Sequence, residues 1–181
     1  MDHGRSALLH LVDRLRRVDS WTGRTHIQKC VFLLRELYSF DLGYEYVLYK
    51  HGPYSFELDA EIEGLRIVDA LDYEIVMSEY GPRYMLGPVA ATLKEDLPPE
   101  LETAIGTVAA AFGKSHVKDL ECISTLVYCR RTQPQGTPPS EIKSCVKGLK
   151  PHLSEEDIDT GWSLLAALGG NAKWPGNEVR V

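Results

Sequence analysis

The sequence predicts a mostly helical α+β fold: a winged-helix-like N-terminal unit with one β-hairpin, followed by a small helical bundle. Three observations lead there. Apolar residues recur at i, i+3, i+4 and i+7 over most of the chain, the pattern of one-sided helices. The period switches to two in aromatic-rich stretches beginning at Tyr44 and Tyr73. Pro98-Pro99 then breaks the chain, and the residues beyond it read as helix and loop only. The implied units are 1–96, a helical unit over 99–170 packed on the first, and a loose tail over 171–181 with Trp174 as its anchor.

Taken in order, Leu8, Leu11, Val12, Leu15 and Val18 stripe a helix over 6–18, and Arg14, Arg16 and Arg17 crowd its last turn, where cations suit the negative helix end. After a turn through Gly23, a second helix over 25–38 is expected, with Ile27, Val31 and Leu34 on one face. Its other face carries Arg24, His26, Lys29 and Arg35, which a DNA-recognition helix would present. Residues 44–49 alternate as a short strand and deliver the chain to Gly52-Pro53. There Gly52 tolerates positive φ and Pro53 suits a first helical turn, with Ser55 as a second candidate N-cap. Leu58, Ile62 and Leu65 then mark a third helix, and His51 falls at its mouth, flanked by Tyr49 and Tyr54. Residues 73–77 and 83–86 bracket a turn and read as the β-hairpin, the wing.

Beyond Pro99, helices are expected over 100–112, 117–129 and 140–149, with a Pro/Gly-rich loop over 130–139. Ser154-Glu155-Glu156-Asp157 reads as a capping box opening a last helix that carries Ile158, Trp162, Leu165 and Leu168.

The bulk properties set limits on function. Hydrophobic content of 44% and charged content of 25% are ordinary for a globular chain, and no apolar run reaches the length of a membrane span, so a cytoplasmic protein is expected. Net charge is −6, unevenly spread: residues 1–40 hold seven basic and four acidic residues, while 41–100 hold four and thirteen. That acidic middle block disfavours wrapping along a phosphate backbone. Cys30, Cys122, Cys129 and Cys145 form no Cys-x-x-Cys pair and have no His at zinc-finger spacing; Cys122 and Cys129, two helical turns apart, cannot bridge each other. Buried free thiols and no metal are expected.

Three segments carry a resemblance. They are Ile27-Gln28-Lys29 through Leu34, the turn Tyr49-Lys50-His51-Gly52-Pro53-Tyr54-Ser55 running on to Leu58, and Leu149-Lys150-Pro151-His152-Leu153-Ser154. Together they look like a YwgA-like family of small bacterial and archaeal proteins, which resembles the broader Panacea/SocA antitoxin domain. The likeness covers 24–66 and 117–168. Where the antitoxin domain has a Gly-Pro-Val turn, this chain has Gly52-Pro53-Tyr54. The resemblance implies an interaction or regulatory module, not a known catalyst.

Enzyme templates give nothing against this. Phosphate-cradling glycine loops, a G-x-S-x-G elbow and an H-E-x-x-H helix are absent. The nearest constellation is His26, His51, Tyr54 and Ser55, with Glu57 or Asp59 close in sequence. The expected function is therefore non-enzymatic: a protein-interaction module of a prokaryotic toxin–antitoxin or defence-type system. Its protein partner is expected to meet Tyr49, Lys50, His51, Gly52, Pro53, Tyr54 and Ser55, and no cofactor is needed. A homodimer is left open. The alternative is a DNA-binding regulator using Arg24, His26, Lys29 and Arg35.

Overall fold

The structure is a computed structural model that describes residues 3–76, 81–168 and 172–174. Helices hold 59% of the described residues and strands 8%, so the fold is α+β and mostly α. The elements run α1 (Gly4–Arg17), α2 (Arg24–Tyr38), β1 (Val47–Tyr49), β2 (Gly52–Tyr54), α3 (Phe56–Ile67), β3 (Leu71–Glu74), β4 (Arg83–Leu86), α4 (Ala90–Leu93), α5 (Pro99–Phe112), α6 (Val117–Thr132), α7 (Pro139–Leu149) and α8 (Glu155–Ala166).

Helix α2 is the spine. Every residue from His26 to Leu34 is buried, polar ones included, which is the state of a helix covered on all sides. Helix α5 packs on α1, α6 packs on α2, and α7 and α8 pack on α6. One hydrophobic core runs through these layers, from Ala7 and Leu8 of α1 through Ile105 and Ile123 to Trp174. It therefore draws on both sides of Pro98-Pro99. Leu58, Ile62 and Leu65 of α3 point into it, as their spacing requires.

The strands depart from the sequence reading in four ways. There are two antiparallel hairpins among the described residues, not one. The first pairs Val47 with Tyr54, Leu48 with Pro53 and Tyr49 with Gly52, so Lys50-His51 is its two-residue tip. Pro53 thus lies in a strand and not in a first helical turn; a two-stranded edge tolerates it because no ladder partner needs its missing N–H. The helix begins after Ser55, whose Oγ accepts the Leu58 N–H at 3.1 Å. Tyr44 and Tyr46 precede the strand and are buried, with the Tyr46 ring edge-on to Phe32 at 5.1 Å. In the second hairpin Leu71 pairs with Leu86 and Glu74 with Arg83. Ile75 and Val76 lie beyond β3, and residues 77–80 of the expected wing lie outside the described residues. The same is true of 169–171 and of the tail from 175 on.

The cap of α8 is formed as the sequence reads it. The Ser154 Oγ accepts the Asp157 N–H at 3.1 Å, and the Asp157 carboxylate accepts the Ser154 N–H at 2.8 Å.

Candidate functional site

The hairpin β1–β2 is held against α2 and α6 by segments that are distant in sequence. Gly52 has φ +87°, and a Cβ there would stand 3.1 Å from Ser124 Oγ and 3.2 Å from Thr125 Oγ1. Glycine is thus required twice over, for its conformation and for the close approach of α6. Ser55 is clamped through both of its backbone polar groups: its N–H donates to Gln28 Oε1 at 3.0 Å, and its C=O accepts from Gln28 Nε2 at 2.8 Å. Lys29 Nζ donates to the Pro53 carbonyl at 2.6 Å from a side chain that is almost wholly buried.

Beneath the hairpin tip sits a buried carboxylate. Glu121 of α6 is 4% exposed. Its Oε1 lies 2.8 Å from Lys150 Nζ, and Lys150 also donates to the carbonyls of Tyr49 and Lys50. Its Oε2 faces His152 Nε2 at 3.3 Å and His51 Nδ1 at 3.8 Å. Both imidazoles are more than half exposed, so Glu121 is a buried anion with two rings over its open side.

Burial alone would raise the Glu121 carboxyl, but hydrogen bonds and charge from Lys150 and His152 outweigh it and hold the group below its usual range. For Lys29 burial wins. Removal from water pulls its ammonium down to about 7; Glu121 opposes this and Lys150 adds to it. The site therefore holds one buried carboxylate, one lysine paired with it, and a second lysine that sheds its proton near neutrality.

The outer face of the hairpin is aromatic. Tyr49, Tyr54 and Phe56 form a mutual three-ring cluster with centroids 5.2–5.8 Å apart. Tyr49 and Phe56 are 57% and 58% exposed, and Val47 beside them is 49% exposed. Interlocked rings hold their shape at small entropic cost, which suits them to contact a partner.

Of the seven residues predicted on the turn, Tyr49, Lys50 and His51 face solvent. Gly52, Pro53 and Ser55 are buried supports, and Tyr54 is intermediate. His51 is at a hairpin tip and not at a helix mouth. Ser55 Oγ donates to Glu57 at 2.9 Å while capping α3, so it is no nucleophile for a nearby base. His26 is not near His51 in hydrogen-bonding terms; its Nε2 meets the Ser115 carbonyl at 3.1 Å.

The basic face expected on α2 is not a free surface. His26 and Lys29 are buried. Arg24 is spent on Asp59, Glu63 and the Tyr84 hydroxyl, and Arg35 donates to the Tyr44 carbonyl at 2.6 Å beside Glu36 and Glu45. Lys150-Pro151-His152 carries a sequence signal only as part of a motif, and Glu121 escapes the sequence reading altogether. The one local signal for it is the run Glu121, Ser124, Thr125 inside an otherwise apolar helix face.

Among the described residues no group of three or more His, Cys, Asp or Glu side chains could hold a metal, and no helix is long and apolar enough to cross a membrane. No family model, no curated protein and no solved structure matches the chain.

Proposed function

We propose that this chain is a protein-docking module whose partner seats an apolar anchor on Tyr49, Tyr54 and Phe56. The observation that carries the reading is the pairing of an exposed, interlocked aromatic cluster with a rigid buried anchorage directly beneath it. Aromatic anchors in a shaped setting dominate binding energy at protein interfaces. Lys29, Gln28 and Lys150 fix the backbone of Tyr49–Ser55 by five side-chain hydrogen bonds, so the surface is organised before a partner arrives. The toxin–antitoxin or defence-type setting rests on the resemblance in the three segments, and the cytoplasmic location on the lack of an apolar run long enough to span a membrane. Those same segments converge on this site. We read α1, α2, α3 and the second hairpin as a winged-helix-like unit with the first hairpin inserted, used here to present that hairpin.

The test is site-specific photocrosslinking in cells of the source organism. A benzophenone side chain at position 49 is expected to capture one protein, and the same group at Thr103, exposed on α5, is expected not to. Equal capture at both positions, or none at 49, removes the docking surface.

DNA binding through Arg24, His26, Lys29 and Arg35 has less support, because those four groups are buried or already paired. It predicts a mobility shift at low salt that fades steeply as salt rises. An enzymatic reading has one observation in its favour: His51 and His152 face the same oxygen of Glu121, as an acid–base pair would. Turnover in a hydrolase or nuclease screen, lost in both His51→Ala and His152→Ala, would put it first.

A further inference from the structure

The structure assigns a thiol-oxidation site to Cys129 and Cys145: we propose that they close an intrachain disulfide when the protein meets a peroxide. Their sulfurs lie 2.7 Å apart, in direct contact. Cys129 is fully buried on α6, and Cys145 is partly exposed on α7. The two other thiols have no such neighbour. Cys30 is fully buried, and Cys122 donates its S–H to the Asp157 carbonyl at 3.4 Å. Burial pushes each of these two up to about 12, so both stay as unreactive thiols at neutral pH.

The exposed member reacts first. Burial and the adjoining Cys145 thiol push the Cys129 thiol upward as well, which leaves Cys145 as the entry point. The Cys145 sulfur attacks the peroxide O–O bond. An S–O bond forms, the O–O bond breaks, and the departing oxygen leaves as water with the thiol proton, giving a sulfenic acid. The Cys129 sulfur then attacks the Cys145 sulfur. The S–S bond forms, the S–O bond breaks, and a second water leaves with the Cys129 proton. The pair gives up two electrons and the peroxide takes them. Contact between the sulfurs favours this second step over further oxidation of Cys145.

The bond would tie α6, which supports the hairpin, to its neighbour α7. Cys129 lies about two turns beyond Glu121 on α6, and Cys145 sits on α7, which ends one residue before Lys150. The staple therefore fixes the helix that bears the carboxylate to the one that leads into its lysine. It stands on the thiol geometry and is independent of what docks on the hairpin.

The experiment treats the reduced, native full-length chain with stoichiometric hydrogen peroxide. It tracks free thiols, intact mass and peptide maps under non-reducing conditions. Expected are the loss of two of the four thiols, a mass lower by two hydrogens, a 129–145 cross-linked peptide, and a Tm raised by about 5–10 °C, as closing a loop of this length implies. Dithiothreitol should reverse all four. Cys145→Ser should abolish the cross-link, and Cys122→Ser should retain it. Four titratable thiols after treatment would overturn the proposal, as would a cross-link to Cys30 or Cys122, or a Cys145 that proceeds to sulfinic acid with Cys129 still free.

Discussion

Glu121 and Lys150 form an ion pair at 2.8 Å with 5% and 6% of their side chains exposed, and the same ammonium reaches the backbone of the Tyr49–Lys50 turn. The pair joins α6, the segment after α7 and the first hairpin at a single point.

Removing one partner leaves the other charge buried and unpaired. Glu121→Gln and Lys150→Met are each expected to destabilise the fold by about 3–5 kcal/mol in urea titrations, and the double variant by much less than the sum. Additive losses would show that the two groups do not act on each other.

The protonation state of Lys29 links stability to pH. Its folded value of about 7 is below its unfolded value of 10.5, so between these the unfolded chain binds the extra proton. Stability is then expected to rise from pH 7 toward 10.5, and to be lost as pH falls through that window to 7. Glu121 acts at the acid end: held below 4.5 in the fold, it contributes stability above 4.5 that is lost as pH drops further. Urea midpoints across the pH range should show both limbs. Lys29→Met should flatten the alkaline one and Glu121→Gln the acid one. An unchanged alkaline limb in Lys29→Met would refute the assignment.

Gly52 is expected to be irreplaceable for a local reason. Gly52→Ala places a Cβ in a positive-φ conformation and against Ser124 and Thr125, so a loss of about 1–3 kcal/mol should appear in thermal or urea unfolding. A neutral Gly52→Ala would mean that the hairpin does not sit on α6 as described.

Much of the helical framework is legible in the sequence because amphipathic periodicity is a local signal. Leu58, Ile62 and Leu65 are buried at the spacing that marks them, and Ser154 caps α8 from a four-residue pattern. The first hairpin is not legible, because Gly52-Pro53 suits an edge strand as well as a helix start, and the choice is made by Lys29 and α6 beneath it. The basic face of α2 misleads for a related reason. Arg24 and Arg35 look free in sequence, yet their partners Asp59, Glu63 and the Tyr44 carbonyl come from later segments. Glu121 is hidden most deeply. Its meaning depends on His51 and Lys150, about seventy residues before it and about thirty after it, and no periodicity reports a contact of that range.

The claim that the aromatic face of the first hairpin is the docking surface is tested most directly by binding measured per folded molecule. Tyr49→Ala and Phe56→Ala are compared with the wild-type chain against the purified protein captured at position 49. Both side chains are more than half exposed, so their removal should leave Tm nearly unchanged. Each should weaken the Kd by about tenfold or more, the scale of an aromatic anchor. Variants that fold normally and bind that protein with wild-type affinity would contradict the account.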